Sequence, residues 1–126
     1  MSKIMKIPFV TVCLVLSACV GLGVKHAETA SECATASVCR ISGLLEMGSD
    51  GHGFLGNMLL PDGMCINVSL PDEQSKRLLG KPPVRMEIQG PVLPFPYDED
   101  AISFKVNGRK VGFGNCGDFY IFVKER

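Results

Sequence analysis

Tryptophan is absent from this sequence of 126 residues, and tyrosine occurs only twice. Proteins that bind single-stranded nucleic acid stack the bases on aromatic side chains, and aromatic residues make up only 7% of the chain. An excess of positive charge is missing as well, because 13 basic residues are matched by 13 acidic ones. Nucleic-acid-binding surfaces are usually basic, so we expect no nucleic-acid partner.

Familiar catalytic and cofactor-binding motifs are also missing. The sequence has no G-x-S-x-G, no H-E-x-x-H and no phosphate-binding loop, the patterns that mark several hydrolases and nucleotide-binding enzymes. His52 lies between glycines in a stretch typical of a turn. A hydrolase would need an active site assembled across several strands. We therefore expect neither an enzyme nor a cofactor, and a hydrolase is the last of three hypotheses.

The N-terminus has the pattern of an export signal. Lys3 and Lys6 precede an apolar run over residues 7–24, and a basic segment followed by an apolar one is typical of secretory signal peptides. A transmembrane anchor is the alternative, because about 20 apolar residues span a bilayer. The glycine-rich second half of the run, VGLGV, argues against such an anchor.

Ordinary cleavage sites for this signal do not fit well. Signal peptidase favours small residues at the third and the first position before the cut. A cut after Ala27 would place Lys25 at the third position, and a cut after Ala30 would place Glu28 there. A lysine or a glutamate at that position breaks the rule.

Residues 16–19, LSAC, resemble instead the lipobox of bacterial lipoproteins. In a lipobox, leucine and two small residues precede a cysteine that receives a diacylglyceryl group and becomes the new N-terminus. The resemblance implies a lipoprotein signal peptide over residues 1–18 and a lipid on Cys19, whose acyl chains anchor the protein in a membrane. Val20 stands where aspartate would signal inner-membrane retention. We expect a bacterial envelope protein at the outer membrane, facing the periplasm. An ordinary signal peptide, removed together with Cys19, is the alternative.

Four further cysteines follow at spacings of 5, 25 and 50 intervening residues: Cys33, Cys39, Cys65 and Cys116. An even number of cysteines in a small exported protein indicates disulfides, here two bonds with three possible connectivities. Zinc sites and thiol oxidoreductases typically use C-x-x-C pairs, which the sequence lacks. We therefore expect two disulfides and no metal.

From residue 19 the chain divides into a tether and a domain. Residues 19–37 are mostly small or polar and aperiodic, which predicts a flexible tether that begins with the lipidated cysteine. Residues 38–126 contain apolar patterns typical of strands in VCRISGLLEMG, FLGNMLL, MCINVSL, PVRMEIQGPV and DFYIFVKER. The stretch PDEQSKRLLG has proline and acidic residues first, then basic residues and glycine. That order predicts one short helix.

Two turn signals divide the strands into hairpins: P-D-G at 61–63 and N-G at 107–108. After the first turn, apolar residues over 64–70 alternate with Asn67 and Ser69. The pattern predicts a strand with one face in the core and a wetter opposite face.

Strand, hairpin, short helix, strand and strand is the element order of the OB-fold, a Greek-key barrel. The stretches CRISGLL and RMEIQGPV resemble the V-x-G-x-V strands of this family, and MLLPDGMCINVSL resembles its L-x-D-G-x-G-x-I-x-V-x-L hairpin. Met64 and Cys65 depart from the small residues usual after that turn. The resemblance implies an all-β domain with one short helix, folded as a five-stranded OB-fold barrel. The 107–108 hairpin would be an insertion or an extension of the last two strands. Another small antiparallel barrel or a sandwich is the alternative.

The resemblance to OB-folds also implies which cysteines pair. The third and fifth strands of that fold lie side by side and parallel, so Cys65 near the start of one and Cys116 just before the other would lie close together. Cys39 is expected on the core face and Cys65 on the opposite one, which disfavours a bond between them. The resemblance therefore implies the bonds Cys65–Cys116 and Cys33–Cys39.

Ligands of OB-folds bind across the second and third strands and the neighbouring loops. On this sequence the resemblance implies these candidate ligand-binding residues: Asp50, His52, Asn57, Asn67, Ser69, Phe95, Tyr97 and Asp98. Their amides, carboxylates, hydroxyl and aromatic rings suit a sugar, a peptide or a protein surface. The alternative is that they are ordinary solvated positions of strands and loops.

Two main hypotheses about function follow. The first is a non-enzymatic envelope lipoprotein whose OB-fold domain binds a protein or glycan partner in the periplasm or at the outer membrane. The second is a small secreted effector, toxin subunit or inhibitor with a disulfide-stapled barrel. A lipid on Cys19 favours the first hypothesis, and a released soluble domain favours the second.

Overall fold

The computed structural model describes residues 23–96 and 101–125. The predicted signal peptide over residues 1–18, Cys19, Tyr97 and Asp98 lie outside these ranges. Within them, neither helix has the length and the apolar character needed to cross a membrane.

The described residues form eight strands and two short helices. In chain order these are β1 (Val24–His26), α1 (Ala30–Ala34), β2 (Val38–Ser49), β3 (Phe54–Leu59), β4 (Cys65–Ser69), α2 (Asp72–Leu78), β5 (Val84–Pro94), β6 (Ser103–Val106), β7 (Arg109–Gly112) and β8 (Phe119–Phe122).

Five of the strands close into a barrel. β2 pairs antiparallel with both β3 and β5, and β5 pairs antiparallel with β8. β8 pairs in parallel with β4, and β4 pairs antiparallel with β3, which completes the ring. α2 follows the third barrel strand. This is the element order and strand pairing of an OB-like Greek-key barrel, so the expected fold class is confirmed.

Two glycines let neighbouring strands approach closely. A Cβ on Gly43 of β2 would lie 2.5 Å from the carbonyl oxygen of Leu59 and 2.7 Å from Cγ of Met58. A Cβ on Gly90 of β5 would collide with the carbonyl group of Phe122. The glycines of CRISGLL and RMEIQGPV are therefore required by the close approach of neighbouring strands in the barrel wall.

The barrel interior is filled by apolar side chains that come from all five strands. They alternate along each strand with residues on the outer face, as the period of two predicts. The main members are Ile41, Leu45, Met58, Ile66, Val68, Ile88 and Ile121. Burial of this surface is the main stabilising contribution to the fold.

The N-terminal segment belongs to the fold from residue 23 onwards. β1 pairs in parallel with the start of β2. α1 begins with a capping box, in which Thr29 Oγ1 accepts from the backbone N–H of Glu32 and the Glu32 carboxylate accepts from the backbone N–H of Thr29. The tether predicted over residues 19–37 is therefore wrong for its described part. Strand pairing and a disulfide from Cys33 to Cys39 hold this segment in the fold, although its sequence shows no periodicity. α1 is a second helix, whereas the sequence predicted only one.

The N-G turn forms the expected extra hairpin, β6–β7, as an insertion between the last two barrel strands. Asn107 has φ of 50° and Gly108 has φ of 83°, the left-handed values that a tight hairpin turn requires. β7 pairs in parallel with β3 through Val111 and Phe54. The inserted hairpin thus continues the sheet past β3 and covers part of the outer surface of the barrel.

Candidate functional site

Both disulfides are present. One joins Cys33 to Cys39, with 5.5 Å between the Cα atoms, and the other joins Cys65 to Cys116, with 5.4 Å. This is the pairing that the OB-fold resemblance implies. The first bond fixes α1 to β2, and the second fixes the loop before β8 to β4.

The outer face of β4 is not wet, contrary to the expectation from its alternating pattern. Asn67 is fully buried. Its Nδ2 donates to the carbonyl oxygens of Gly117, at 3.3 Å, and Phe119, at 2.9 Å, and its Oδ1 accepts from the backbone N–H of Cys116 at 3.2 Å. The amide therefore holds the loop before β8 in place, and no ligand reaches it in this conformation.

Ser69, on the same outer face, is buried beneath the inserted hairpin. Arg109 Nη1 of β7 donates to the carbonyl oxygen of Ser69 at 3.1 Å and to its hydroxyl at 3.2 Å. The guanidinium also lies 4.0 Å from the centre of the Phe122 ring and 3.0 Å from a carboxylate oxygen of Glu125. A hydrogen bond from Arg109 and its positive charge lower the pKa of Glu125. The expectation that Ser69 lies on a solvated binding face is corrected, since the hairpin covers it.

Aromatic rings extend this covered region beyond β4. Phe95 lies 5.0 Å from the ring of Tyr120, 5.5 Å from that of Phe113 and 6.0 Å from that of Phe104. Burial raises the pKa of Tyr120. Phe95 therefore packs in an aromatic cluster under the hairpin. Tyr97 and Asp98, the other predicted residues of its loop, lie outside the described residues.

A groove lies open on this side of the barrel, and we call it the amide groove. It has a volume of about 460 Å³ and runs between the β2–β3 loop, the outer face of β3 and the segment that follows β7. Its lining residues are Gly48, Ser49, Asp50, Gly53, Leu55, Asn57, Gly112, Phe113, Gly114 and Asn115.

The amide groove contains two of the predicted residues directly, Asp50 and Asn57. Asn57 is exposed on β3, and its Oδ1 contacts Sγ of Cys116 at 3.5 Å. His52 is exposed in the adjoining loop, where its backbone N–H donates to Oδ1 of Asp50 at 2.8 Å. Of the eight candidates, the structure thus places Asp50 and Asn57 in the groove and His52 in the loop beside it.

Among the lining residues of the amide groove that the sequence reasoning missed are Phe113 and Asn115. They belong to the stretch G-F-G-N at 112–115, and a Cβ on Gly114 would collide with Asn67 and Leu55. The glycines on either side of Phe113 were the available signal, because glycine is common where a chain packs closely against another segment.

Chemically, the amide groove suits a neutral polar ligand. Asn57 and Asn115 supply amide donors and acceptors, Ser49 a hydroxyl and Asp50 a carboxylate, and the half-buried Phe113 ring supplies an apolar surface. A few polar groups beside an aromatic ring are typical of a small-molecule or glycan site. Among residues 23–96 and 101–125, no three His, Cys, Asp or Glu side chains are grouped so as to hold a metal ion.

Comparison with protein-family models, with curated proteins and with solved structures finds no match to this chain. The assignment of an OB-like barrel therefore depends on the strand pairing alone, and the function is argued from the groove and the sequence.

Proposed function

We propose that this protein is a non-enzymatic envelope lipoprotein, anchored through Cys19, whose OB-like barrel binds a protein or glycan partner in the amide groove. The observation that carries the proposal is the position of this groove. It lies on the second barrel strand and between two loops, the region where OB-folds hold ligands. The inserted hairpin covers part of the neighbouring strand β4. A ligand on this face is therefore expected to bind in the amide groove on β3.

The chemistry of the amide groove supports a binding role. Asp50 is the one carboxyl group among its lining residues, whereas glycoside hydrolysis generally uses a pair of carboxyl groups. Asn57 and Asn115 can each donate and accept, which matches hydroxyl or amide groups of a neutral partner. These features favour recognition of a polar, uncharged group and give no arrangement for a hydrolytic step.

The course of the N-terminal segment supports processing at Cys19. A cut after Ala27 would remove β1 and its three pairings with β2. A cut after Ala30 would also divide α1 from its N-cap residue Thr29. Cleavage before Cys19 leaves β1, α1 and the bond from Cys33 to Cys39 intact, so the lipoprotein route preserves the fold.

Intact-mass measurement of the mature protein tests the anchor. We expect a product that begins at Cys19, carries acyl mass and gains two hydrogen atoms per disulfide on reduction. The Cys19→Ser variant is the control, and it should lack the acyl mass. A wild-type product that begins at or after Gly23 without acyl mass would contradict the anchor and favour the secreted effector or inhibitor.

Titration calorimetry of the purified domain with soluble peptidoglycan fragments tests the binding site. Asn57→Ala and Asn115→Ala should weaken binding by about tenfold each, since each removes hydrogen bonds to the ligand. Lys105→Ala, an exposed position on β6 outside the groove, is the matched control and should leave the affinity unchanged. Equal affinities for all three variants would rule out the amide groove as the site for these fragments. If the wild-type domain captures an envelope protein and the Asn57→Ala variant does not, the partner is a protein and not a peptidoglycan fragment.

A further inference from the structure

A second groove, which we call the apolar groove, lies next to the first amino acids of the fold. It has a volume of about 380 Å³ and contains no charged side chain among its lining residues. Those residues come from α1, from the start of β4 and the turn before it, and from the start of β8 and the segment before it: Ala30, Ser31, Ala34, Gly63, Met64, Cys65, Asn115, Cys116, Gly117 and Phe119. Met64 is 59% exposed at its rim.

The absence of charge distinguishes the apolar groove from three other grooves of the described residues. The amide groove contains Asp50. A groove at α2 contains Arg40, Glu87 and Lys124, and a groove beside β1 contains several charged residues, Arg85 among them. A large exposed methionine between alanines, a disulfide and a phenylalanine is a surface that water solvates poorly.

The chain enters the fold beside this surface. β1 starts at Val24, which pairs with Val38. The next residue, Cys39, has its Cα 5.5 Å from that of Cys33 in α1. α1 is the helix that lines the apolar groove through Ala30 and Ala34. The entry point of the chain is therefore linked to α1, and through α1 to the groove, by the first residues of β2.

Chain length limits how far this surface can be from a lipid on Cys19. Four residue steps separate Cys19 from Gly23, and a fully extended chain of that length spans at most about 14 Å. The headgroup layer on one side of a bilayer is roughly 5–8 Å deep, so a lipid on Cys19 keeps Gly23 within about 10 Å of the headgroup surface. An anchored barrel is therefore held with its β1–α1 side next to the membrane.

We propose that the apolar groove rests on the bilayer that holds the lipid of Cys19, with Met64 inserted at the interface. The inference depends on the proposed lipid anchor. One methionine and a few alanines form too small a surface to bind a membrane unaided. Once Cys19 is anchored, the contact becomes intramolecular, and its effective concentration is high.

Two acidic residues adjacent in sequence to the lining residues refine the choice of lipid. Glu32 of α1 and Asp62, next to Gly63, are both exposed. Negative charge near an anionic headgroup is repelled, so the contact should form on zwitterionic lipid and weaken as anionic lipid is added. The amide groove meets the apolar groove at Asn115 and runs from there along β3 towards Asp50, so its far end stays open to a ligand from the aqueous side.

Tryptophan fluorescence tests the contact directly, because the chain has no tryptophan of its own. We would prepare the lipidated full-length protein with Met64→Trp and, as a matched control, with Ile102→Trp. Ile102 is 56% exposed, against 59% for Met64, and lies before β6, outside the apolar groove. Each variant is placed in phosphatidylcholine vesicles with and without brominated acyl chains. Met64 donates its backbone N–H to Asp62, and the substitution keeps that turn.

We expect brominated lipid to cause a loss of fluorescence and a shift to shorter wavelength in the Met64→Trp variant only, and added phosphatidylglycerol to reduce both. If both variants bind the vesicles but their fluorescence is unquenched or is quenched equally, the membrane contact is wrong and the anchor still holds. Variants without acyl mass would overturn the anchor and the contact together. A shift of the Met64→Trp fluorescence to shorter wavelength without vesicles would also overturn the membrane contact. It would show that another part of the chain fills the groove or, where the shift depends on protein concentration, that a second copy does.

Discussion

The inner and outer sides of strand β4 are both buried, but different parts of the chain bury them. Inside the barrel, Ile66 and Val68 pack among apolar residues of the other barrel strands. Outside, Asn67 and Ser69 are covered by an inserted hairpin and the loop before β8, and they are satisfied by hydrogen bonds. The comparison teaches that a polar residue on the outer face of a strand need not be solvated when a later insertion folds back over it.

The two disulfides give the largest expected difference between these regions. The Cys65→Ala/Cys116→Ala variant loses a bond that closes a separation of 51 residues and ties the outer loop to β4, so the free energy of unfolding should fall by about 4 kcal/mol. The Cys33→Ala/Cys39→Ala variant loses a bond across 6 residues, for which about 2 kcal/mol is expected. Urea unfolding of both variants measures the difference. Equal losses would mean that the outer loop is held without its disulfide.

Ile66 and Asn67 are neighbours on β4, so substituting each one compares the inner and the outer side of the strand. Ile66→Ala should lower the free energy of unfolding by about 3 kcal/mol, because it leaves a cavity in the core. Asn67→Ala should cost about 2 kcal/mol, because the N–H of Cys116 and the carbonyl of Phe119 lose their partner. Denaturant unfolding gives both values. A negligible cost for Asn67→Ala would show that the outer loop relaxes to water, and the comparison would fail.

The ion pair between Arg109 and Glu125 should have the smallest effect on stability, and that effect depends on pH. The pKa of Glu125 is lowered in the folded protein. Its stabilising contribution is therefore present above the unfolded value, near 4.5, and is lost as the pH falls through the folded value. Melting temperatures of wild type and Glu125→Gln should differ slightly at neutral pH and converge in acid. In an Arg109→Met background the difference should vanish, and a difference that persists there would assign the effect to another partner.

Local patterns along the chain predicted the strands and turns, and the resemblance of their order and motifs to OB-folds implied the barrel. The alternation in each strand, the P-D-G and N-G turns and the glycines of CRISGLL and RMEIQGPV are local signals, and each forms as expected. The burial of Asn67 and Ser69 could not be predicted, because it depends on Arg109 and the 112–119 segment, about 40 to 50 residues later. β1 and α1 were missed for a related reason, since strand pairing with β2 holds β1 and the Cys33–Cys39 bond holds α1, and periodicity reveals neither.

The four asparagines of the chain provide the most direct test of the claim that a ligand on this face binds in the amide groove. Asn57 and Asn115 line the groove, Asn67 is buried beneath the loop, and Asn107 lies in the exposed turn of the hairpin. Side-chain amide signals of ¹⁵N-labelled protein should be followed by NMR during titration with soluble peptidoglycan fragments. We predict that the signals of Asn57 and Asn115 shift while those of Asn67 and Asn107 stay constant. A shift of Asn67 with Asn57 unchanged would contradict the account, because the ligand would then displace the loop before β8 and occupy the face of β4.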